Sequence, residues 1–411
     1  MNEEVKVVER VIGFDSHPDS FTAAILRGPT PAAAVVEKTF HKVPLGQLAR
    51  WAHKHTTAQD LIVLEASGNS FQVVRTLATA GRPAKVLESV QMGKLKEAHA
   101  NNDKISAVRI AKAYLAGTAK EVWVPDAKTQ ERRDWFHAYH KATKRTTQMR
   151  ARLRSYLSDN GVRLKVGTRL TPLQEAEPQI RQAREWSGRQ WQVIEILLAE
   201  LRHADQQRQH WQSLIAQEVL AEPDLLSLVR WCGVREIIAF ALAAFIGDIK
   251  RFAHPKKLVK YVGLNPAFDD SGASEWSGGI GGHGHKLLRS LLIEGAQAIL
   301  RGSQTPLARW GRKLWAAKGS VNLAVAAIAR KLTVAIWYLM MGRWTTLEEL
   351  DARLLRKVSA MIGSVGQSGL KALGKSRPVY RQEICQRLKT GRTYVLDPNK
   401  TYAPQPTANL A

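Results

Sequence analysis

The sequence predicts an α/β domain, followed by a helical hairpin or coiled coil and then a mainly α-helical domain. Three observations lead to this fold class. Short apolar runs alternate with helical segments in the first part of the chain. Apolar residues then recur every three to four positions along two long segments, and further apolar helices flank a glycine-rich stretch after them. We place the domains at residues 1–125, 126–222 and 223–345, with a basic accessory tail at 346–411 whose end we expect to be disordered.

The charge of the chain indicates a polyanionic partner. The 411 residues include 61 Lys and Arg against 36 Asp and Glu, a net charge of +25. Each contact with a phosphate releases counterions, so such a surplus favours nucleic acid. An anionic membrane surface is the main competitor. It is weakened because charged residues such as Asp248 and Arg330 interrupt the most apolar segments, which leaves no uncharged run long enough to span a bilayer.

Cysteine usage and the first residues indicate the compartment. Only Cys232 and Cys385 occur, and the opening MNEEVKVVER does not have the pattern of a signal peptide. We therefore expect a reduced, cytoplasmic protein that acts on the nucleoid and is not bound to a membrane.

The first domain opens with strands. Residues 11–15 and 21–26 read as a β-hairpin, 32–40 as a third strand, and 47–55 as a helix. The later elements are a fully apolar strand, a helix, a short strand and a further helix, at residues 61–64, 70–80, 84–87 and 103–116.

Acidic residues follow two of these strands. Asp15 and Glu65 each stand where a buried strand ends, and Asp103 opens the last helix with Ser106 one turn further on. Either strand-end acid alone is more easily explained as a surface residue. Together with Asp103 they form an oxygen-donor set that suits Mg²⁺ or Mn²⁺.

The middle region predicts two long amphipathic helices. Residues 130–158 carry one apolar stripe, and a second repeats from Trp191 to Leu214, with a break at 159–161. We interpret the pair as a helical hairpin or coiled coil for self-association into a dimer or tetramer.

The third domain contains the glycine-rich stretch. Between Gly263 and Gly284 there are seven glycines and three serines, followed by a helix that begins near His285. We expect a loop there that approaches a phosphate backbone, with Lys286 and Arg289 behind it to bind an anion, although a flexible linker would have the same composition. The turn at residues 231–234, between two helices, fits either a helix-hairpin-helix phosphate site or a plain helical turn.

Motifs in the first domain resemble a known family. Gly-Phe-Asp-Ser-His (13–17), Leu-Glu-Ala-Ser-Gly (64–68) and Asn-Asp-Lys-Ile-Ser-Ala (102–107) are similar to motifs of the DEDD transposases of insertion-sequence family 110, relatives of the Piv DNA invertases. These have an RNase H-like domain of the RuvC type. The family's third motif has a fourth acid where this chain has Ser106. This departure would weaken the binding of a second metal ion.

The resemblance continues in the third domain. Ile-Gly-Asp-Ile (246–249), Arg-Phe (251–252) and Tyr-Val-Gly-Leu-Asn-Pro (261–266) follow the family pattern in order. In the family a Ser-Gly pair comes next, and it falls on Ser271. The resemblance therefore implies that Ser271 is the nucleophile. Ser277 is the alternative, because it has the better local Ser-Gly-Gly but the wrong distance from the preceding motif.

The resemblance implies a transposase or recombinase that cuts and rejoins double-stranded donor and target DNA through a serine–DNA intermediate, with metal at the acidic site. It also implies a multimer and a structured noncoding guide RNA, the bridge RNA. A metal-dependent junction nuclease would need the acids without Ser271. A nucleic-acid-binding protein whose catalytic site has decayed is the third reading, supported by Ser106 and, more weakly, by Ala273.

Overall fold

The computed structural model describes residues 9–88, 103–163, 173–271, 274–281, 283–343, 345–346, 351–390 and 392–393. Contacts between backbone positions divide the chain into two compact units, residues 1–126 and residues 127–411. The division falls next to the boundary that the loss of strand pattern predicts. The segments predicted as a helical hairpin, a third domain and a tail all fall within the second unit.

The first unit is built on one mixed sheet. Its six strands are β1 Arg10–Ser16, β2 Ser20–Arg27, β3 Val35–Pro44, β4 Leu61–Glu65, β5 Ala84–Leu87 and β6 Glu121–Val122. They lie in the order β3-β2-β1-β4-β5-β6. The β1, β4 and β5 strands run parallel, while β2, β3 and β6 are antiparallel to their neighbours. The predicted strands are therefore confirmed. The structure adds β6, which was not predicted because a strand of two residues leaves no recognisable pattern in the sequence.

Helices cover both faces of this sheet. They are α1 Leu48–His55, α2 Ser70–Thr79 and α3 Asp103–Leu115, which confirms the predicted helices. Since side chains alternate along a strand, Ile12 and Phe14 pack with the α1 and α2 side chains, whereas Val11 packs with Ala107 and Ala111 of α3. Phe14 stacks on Phe21 with ring centroids 4.3 Å apart, and Trp51 closes this cluster edge-on.

The second unit begins with the two predicted long helices. They are α4 Ala127–Asp159 and α6 Gly188–Ala221, with a shorter helix, α5 Leu173–Ala183, between them. Ser187 starts α6 with a capping box in which Gln190 is the reciprocal partner. The apolar stripes of α4 and α6 pack on one another and bury Leu153, Ile194 and Leu198 within the single chain. The stripe is therefore largely covered without a second copy, while Ile196 stays 61% exposed.

The helices that follow form the largest core. They are α7 Pro223–Leu228, α8 Glu236–Ile246, α9 Pro255–Val262, α10 Lys286–Gly302, α11 Pro306–Lys318 and α12 Val321–Met340, with a short 3₁₀ turn at Ile249–Arg251. Among the described residues, α12 is the helix whose length and composition would allow it to cross a membrane. However, 56% of its most apolar window is buried inside the protein. Such burial is typical of a core helix in a soluble protein.

The accessory tail differs from the prediction. The segment expected to be a basic accessory tail contains two helices, α13 Ala352–Ala372, which is kinked at Gly366 with a φ of +76°, and α14 Arg377–Thr390. Val358, Ile362 and Ile384 are fully buried in the same core as α8 and α12. On α13, Gly369 lies close to α6, since a Cβ built on it would lie 2.9 Å from the side-chain nitrogen of Gln217. The predicted disordered end, Asp397 to Ala411, lies outside the described residues.

A buried lysine fastens this C-terminal segment to the rest of the unit. The Lys357 ammonium on α13 donates to the carbonyl oxygens of Val229, Trp231 and Val234 at 2.6, 2.8 and 2.8 Å. Burial lowers the pKa of Lys357 to about 7. The 229–234 turn is held from its other side by Gly233, whose added Cβ would lie 2.3 Å from the Gly295 carbonyl oxygen of α10. These contacts favour a plain packing turn over a helix-hairpin-helix phosphate site.

Candidate active site

The acidic residues of the first unit follow two neighbouring parallel strands. The register pairs Phe14 of β1 with Leu64 of β4, so Asp15 and Glu65 stand one residue further along at the same edge of the sheet. Both are partly exposed, and both take part in interactions within the chain. The carboxyl ends of adjacent parallel strands meet at one edge, which is why two acids 50 positions apart come together.

Helix α3 lies on the face to which both acids belong. By strand alternation Asp15 shares a face with Val11 and Gly13, and Glu65 shares it with Val63. Gly13 makes this packing possible: a Cβ built on it would lie 1.8 Å from the carbonyl oxygen of Ala107. Only a glycine lets the helix backbone approach the strand so closely.

The direction of α3 brings its first turn to the acidic edge. Near its far end, the Tyr114 hydroxyl accepts a hydrogen bond at 3.3 Å from Lys85 Nζ, near the start of β5. Because the helix runs antiparallel to β1 and β4, Ser106 and the start of α3 at Asp103 lie toward the ends of those strands. The Ser106 side chain is partly buried, while that of Asp103 lies outside the described side chains.

Asn69 ties together the two loops that carry the acids. Its side-chain nitrogen donates to the His17 carbonyl oxygen at 2.7 Å, and its side-chain oxygen accepts from the Ser16 hydroxyl at 2.9 Å. The sequence pattern alone assigns no role to Gly13 or Asn69. The available signal for Gly13 was a glycine inside an apolar strand, together with alanines four apart, Ala107 and Ala111, on the helix that covers it.

The donor set at this edge is made of oxygen atoms. Carboxylates of Asp15 and Glu65 and the Ser106 hydroxyl fit a hard divalent cation such as Mg²⁺, which prefers oxygen ligands. Among the described side chains, no three His, Cys, Asp or Glu residues form a metal-binding group. Asp103, the third acid of the prediction, is outside that set.

In the second unit, the glycine-rich stretch forms a hairpin. Strands β7 Pro266–Ser271 and β8 Ser274–Ile280 pair antiparallel, with Ser271 opposite Ser274. The expected loop is thus corrected to a two-stranded ribbon, because backbone pairing across the hairpin offsets the low strand preference of glycine. Ser271 is the last residue before the turn, whose residues 272–273 lie outside the described ones. Ser277 stands opposite Phe268, further from the turn.

The base of the hairpin is fixed by two glycines and an arginine. Gly263 and Gly284 have φ values of +82° and +94° and pack directly on each other, since a Cβ on Gly284 would lie 2.6 Å from the Gly263 Cα. Nη1 of Arg289 donates to the carbonyl oxygens of Gly263, Gly281 and His283, at 3.2, 3.4 and 2.7 Å. Arg289 therefore shapes the hairpin base in this structure, whereas Lys286 is exposed at the start of α10.

His285 connects the hairpin to the helices beneath it. Its ring nitrogen Nδ1 accepts from the Leu288 amide at 3.2 Å and caps α10, and its backbone N–H donates to the Tyr261 carbonyl oxygen at 2.9 Å. The ring packs against Phe245, with centroids 4.4 Å apart. Burial, followed by the positive charges of Arg133, His137 and Arg251, lowers the pKa of His285. A neutral ring keeps the lone pair that the cap requires.

Comparison with known proteins gives a family match in this region. Residues 228–310 match the model of the transposase IS116/IS110/IS902 family. The matched segment includes the 229–234 turn, the hairpin and α10. It also covers Ser271, Ser277, Lys286 and Arg289.

Curated relatives extend the similarity beyond that segment. The chain is 27% identical over 284 residues to the transposase for insertion sequence element IS1111A of Coxiella burnetii, which covers 68% of this chain and 77% of the relative. A Sinorhizobium fredii protein described as transposase y4qE is 25% identical over 56% of both chains. A Pseudomonas aeruginosa protein described as a family 20 transposase is 31% identical over 26% of this chain and 32% of its own length. Together, the family match over residues 228–310 and these relatives support an IS110-family transposase, and hence a DNA transposase or recombinase.

Proposed function

We propose that the chain cuts and rejoins double-stranded donor and target DNA through a covalent bond between Ser271 and a DNA phosphate. An acidic, RuvC-like site formed by Asp15, Glu65 and Asp103, with Ser106 beside them, would assist with Mg²⁺ or Mn²⁺. The observation that carries the proposal is the meeting of Asp15, Glu65 and the first turn of α3 at one sheet edge. The mixed α/β fold is compatible with this site.

The chemistry of the serine step balances without an external energy source. The Ser271 oxygen attacks a phosphodiester, an Oγ–P bond forms, and the P–O bond to one DNA strand end breaks. The serine proton leaves to a base, and the departing oxygen takes up a proton. The new serine phosphodiester conserves the bond energy, so that a second strand end can attack it and restore Ser271.

The acidic site and the cationic surface supply the remaining functions. A divalent cation, when bound, polarises the phosphate and stabilises its added charge. Asp15 and Glu65 would hold it, since their carboxylates meet at the strand ends. Lys286, exposed at the positive end of α10, would bind the DNA backbone near the hairpin. Arg289 would contribute by keeping the hairpin base in shape.

Multimers and a guide RNA belong to the same proposal. The acidic unit of one subunit would act with the serine of another, and a structured bridge RNA would select both DNA sites. The +25 charge supports a large nucleic-acid surface. Because the α4–α6 stripe is mostly covered within the chain, exposed apolar residues of α6 such as Val193 and Ile196 would contact a second copy.

Two alternatives are each favoured by one observation. A junction nuclease would need only the acidic site, and Asp15, Glu65 and α3 all belong to the first unit. A decayed nucleic-acid-binding protein would explain Ser106 in place of an acid. Ser106→Asp separates these readings, because a weakened metal site should gain activity whereas a binding protein should gain none.

The first experiment is RNA co-purification from cells that express the protein with its flanking DNA. One abundant structured RNA retained at high salt would support guidance and supply the guide for activity assays. Only random RNA that washes off with salt would contradict guidance and favour the nuclease or binding readings.

With that guide, Ser271→Ala tests the nucleophile. We expect the loss of strand joining and of the protein–DNA adduct on denaturing gels, whereas the matched Ser277→Ala variant should retain both. Asp15→Asn should abolish adduct formation as well. Cutting by Ser271→Ala at the wild-type rate would exclude the serine mechanism and support the nuclease.

A further inference from the structure

A second surface of the transposase, outside both proposed catalytic clusters, has features of a nucleotide site. It is a cavity of about 620 Å³ where α10 ends, α11 passes and α12 begins. Its lining residues combine an aromatic ring, cations and an amide, and they are Leu300, Arg301, Gln304, Arg312, Trp315 and Val321. None of these residues has a role in the acidic edge or in the hairpin.

Among the tryptophans whose side chains the structure describes in this unit, Trp315 is the one that is exposed. It is 45% exposed, although tryptophan is generally well buried, and it lines the cavity. An indole face that is open to solvent beside cations is a stacking platform for a nucleobase, because every base offers a π face. The neighbouring Trp310, in contrast, is partly buried and has Lys331 Nζ over its ring at 4.7 Å.

The charge around the cavity is of one sign. Residues 295 to 347 contain no Asp or Glu, and they contain eight Lys and Arg residues. Arg301, Lys313 and Lys318 are exposed, and no described carboxylate lies within salt-bridge distance of them. A second copy of this chain, with its net charge of +25, is a poor electrostatic match for such a surface. A polyanion fits it.

Arg312 makes the wall of the cavity rigid. Its Nη1 donates to the carbonyl oxygens of Leu300 and Ser303 at 3.0 and 2.9 Å, and its Nη2 donates to the Gln304 side-chain oxygen at 3.0 Å. These bonds join the end of α10 to α11 and fix the orientation of Gln304. An amide held in this way can read the polar edge of a base, whereas Arg301 remains available for its phosphate.

We propose that this cavity binds an unpaired nucleotide of a single-stranded nucleic acid, with the base stacked on Trp315 and the adjacent phosphate on Arg301. The inference rests on the assignment as a transposase, since strand exchange and guide pairing both expose unpaired bases. Base-paired duplex buries its base faces and therefore cannot use Trp315. Single-stranded DNA and RNA share the required chemistry.

The test measures binding without catalysis. A 20-nucleotide single strand that carries one 2-aminopurine is titrated with the full-length protein in the presence of EDTA, as DNA and as RNA, and a blunt duplex of the same sequence is measured in parallel. We expect quenching of 2-aminopurine fluorescence by the wild type. Trp315→Ala and Trp315→Leu should lose the quenching and weaken single-strand binding about tenfold, whereas Trp315→Tyr should retain both. Duplex affinity should change less than twofold in all three variants.

Charge and folding have their own controls. Arg301→Gln should weaken single-strand binding and reduce the salt dependence of that binding. The control is Arg50→Gln, which removes the same charge from an exposed position in the first unit and should change neither quantity. Thermal unfolding and molar mass are measured for every variant. If the Trp315 variants lose affinity for the DNA strand, the RNA strand or both, the site is supported, and the affected strand identifies the nucleic acid that it binds.

Two outcomes would overturn the inference. Wild-type affinity and quenching in Trp315→Ala would exclude stacking. The surface would instead be a protein interface if Trp315→Leu keeps its affinity for the single strand and Trp315→Ala forms an assembly of lower molar mass. Either result leaves the Ser271 mechanism untouched, because the adduct assay tests it separately.

Discussion

The two proposed catalytic clusters differ in how the fold supports them. Asp15 and Glu65 end strands in the middle of a six-stranded sheet, with apolar layers on both faces. Ser271 stands at the turn of an isolated two-stranded ribbon that is held at its base by Gly263, Gly284 and Arg289. A position in a packed sheet is fixed by many contacts, whereas the ribbon depends on a few. Damage to the support should therefore affect the two clusters differently.

The largest effect is expected for Gly13→Ala. The new methyl group would overlap the Ala107 carbonyl oxygen and force α3 away from β1. We expect a loss of about 3 kcal/mol or more in the stability of the first unit, together with the loss of metal-dependent cleavage. Urea unfolding and DNA cleavage measure these two quantities.

Gly68→Ala is the matched control for this change. Gly68 follows β4 near the same edge, and an added Cβ there meets nothing within 4 Å. It should shift stability by less than about 0.5 kcal/mol. Equal effects of the two substitutions would contradict the close packing of α3 on β1.

A smaller effect on stability is expected for Gly284→Ala. Its φ of +94° and its contact with Gly263 both oppose a side chain. The cost should be about 2 kcal/mol, divided between strain and overlap. Because the ribbon lies outside the main core, the unit should stay folded while adduct formation falls at least tenfold.

Gly319→Ala is the control that separates the cost of backbone strain from the cost of steric overlap. Gly319 also has a positive φ, +67°, but its Cβ would meet nothing within 4 Å. It should lose only about 1 kcal/mol and form the adduct normally. A fully active Gly284→Ala would show that the ribbon base does not position Ser271.

The smallest effect is a dependence on pH. The lowered pKa of His285 means that the folded protein binds fewer protons than the unfolded chain as pH falls through the ordinary histidine range. Its contribution to stability is therefore present above about pH 6.5 and is lost as the pH decreases. His285→Asn retains a capping oxygen but cannot titrate.

We expect the stability difference between pH 7.5 and pH 5 to be smaller in His285→Asn than in the wild type, measured by chemical unfolding. His140, whose pKa is also lowered by burial, contributes in both proteins and cancels in the comparison, whereas the charge coupling of His137 to His285 is part of the measured difference. An unchanged difference would mean that the cap does not titrate in this range.

The difference between the packed sheet and the two-stranded ribbon also explains which features could be predicted from the sequence. Strand ends and helix starts are local, so the apolar runs and the acids next to them place Asp15 and Glu65 at strand ends and Asp103 at a helix start, as the structure does; their role in a metal site stays a prediction. The ribbon was not predicted because seven glycines and three serines resemble a loop, although the two strands that pair are adjacent in sequence, with Ser271 opposite Ser274. Gly13 was missed for a different reason: its partner, Ala107, is 94 residues away. Whether Ser271 reacts stays a prediction, since the motif and not the geometry points to it.

The C-terminal helices show the limit of composition most directly. A stretch rich in small and basic residues was interpreted as an accessory tail, but Lys357 and the apolar residues of α13 and α14 belong to the core. Periodic apolar residues such as Val358, Ile362 and Ile384 were the better guide. The charge of the segment obscured this period.

The attachment of α13 by Lys357 also has a consequence for synthesis on the ribosome. The first unit has its own sheet and apolar layers and is complete once its 126 residues are made, but the second cannot complete its core before α13 and α14 are made, more than 250 residues later. At about 5–20 residues per second, this interval lasts roughly 10–50 s. On the proposed mechanism, a nascent chain would thus contain Asp15 and Glu65 well before Ser271, and would be unable to join DNA until translation is almost finished.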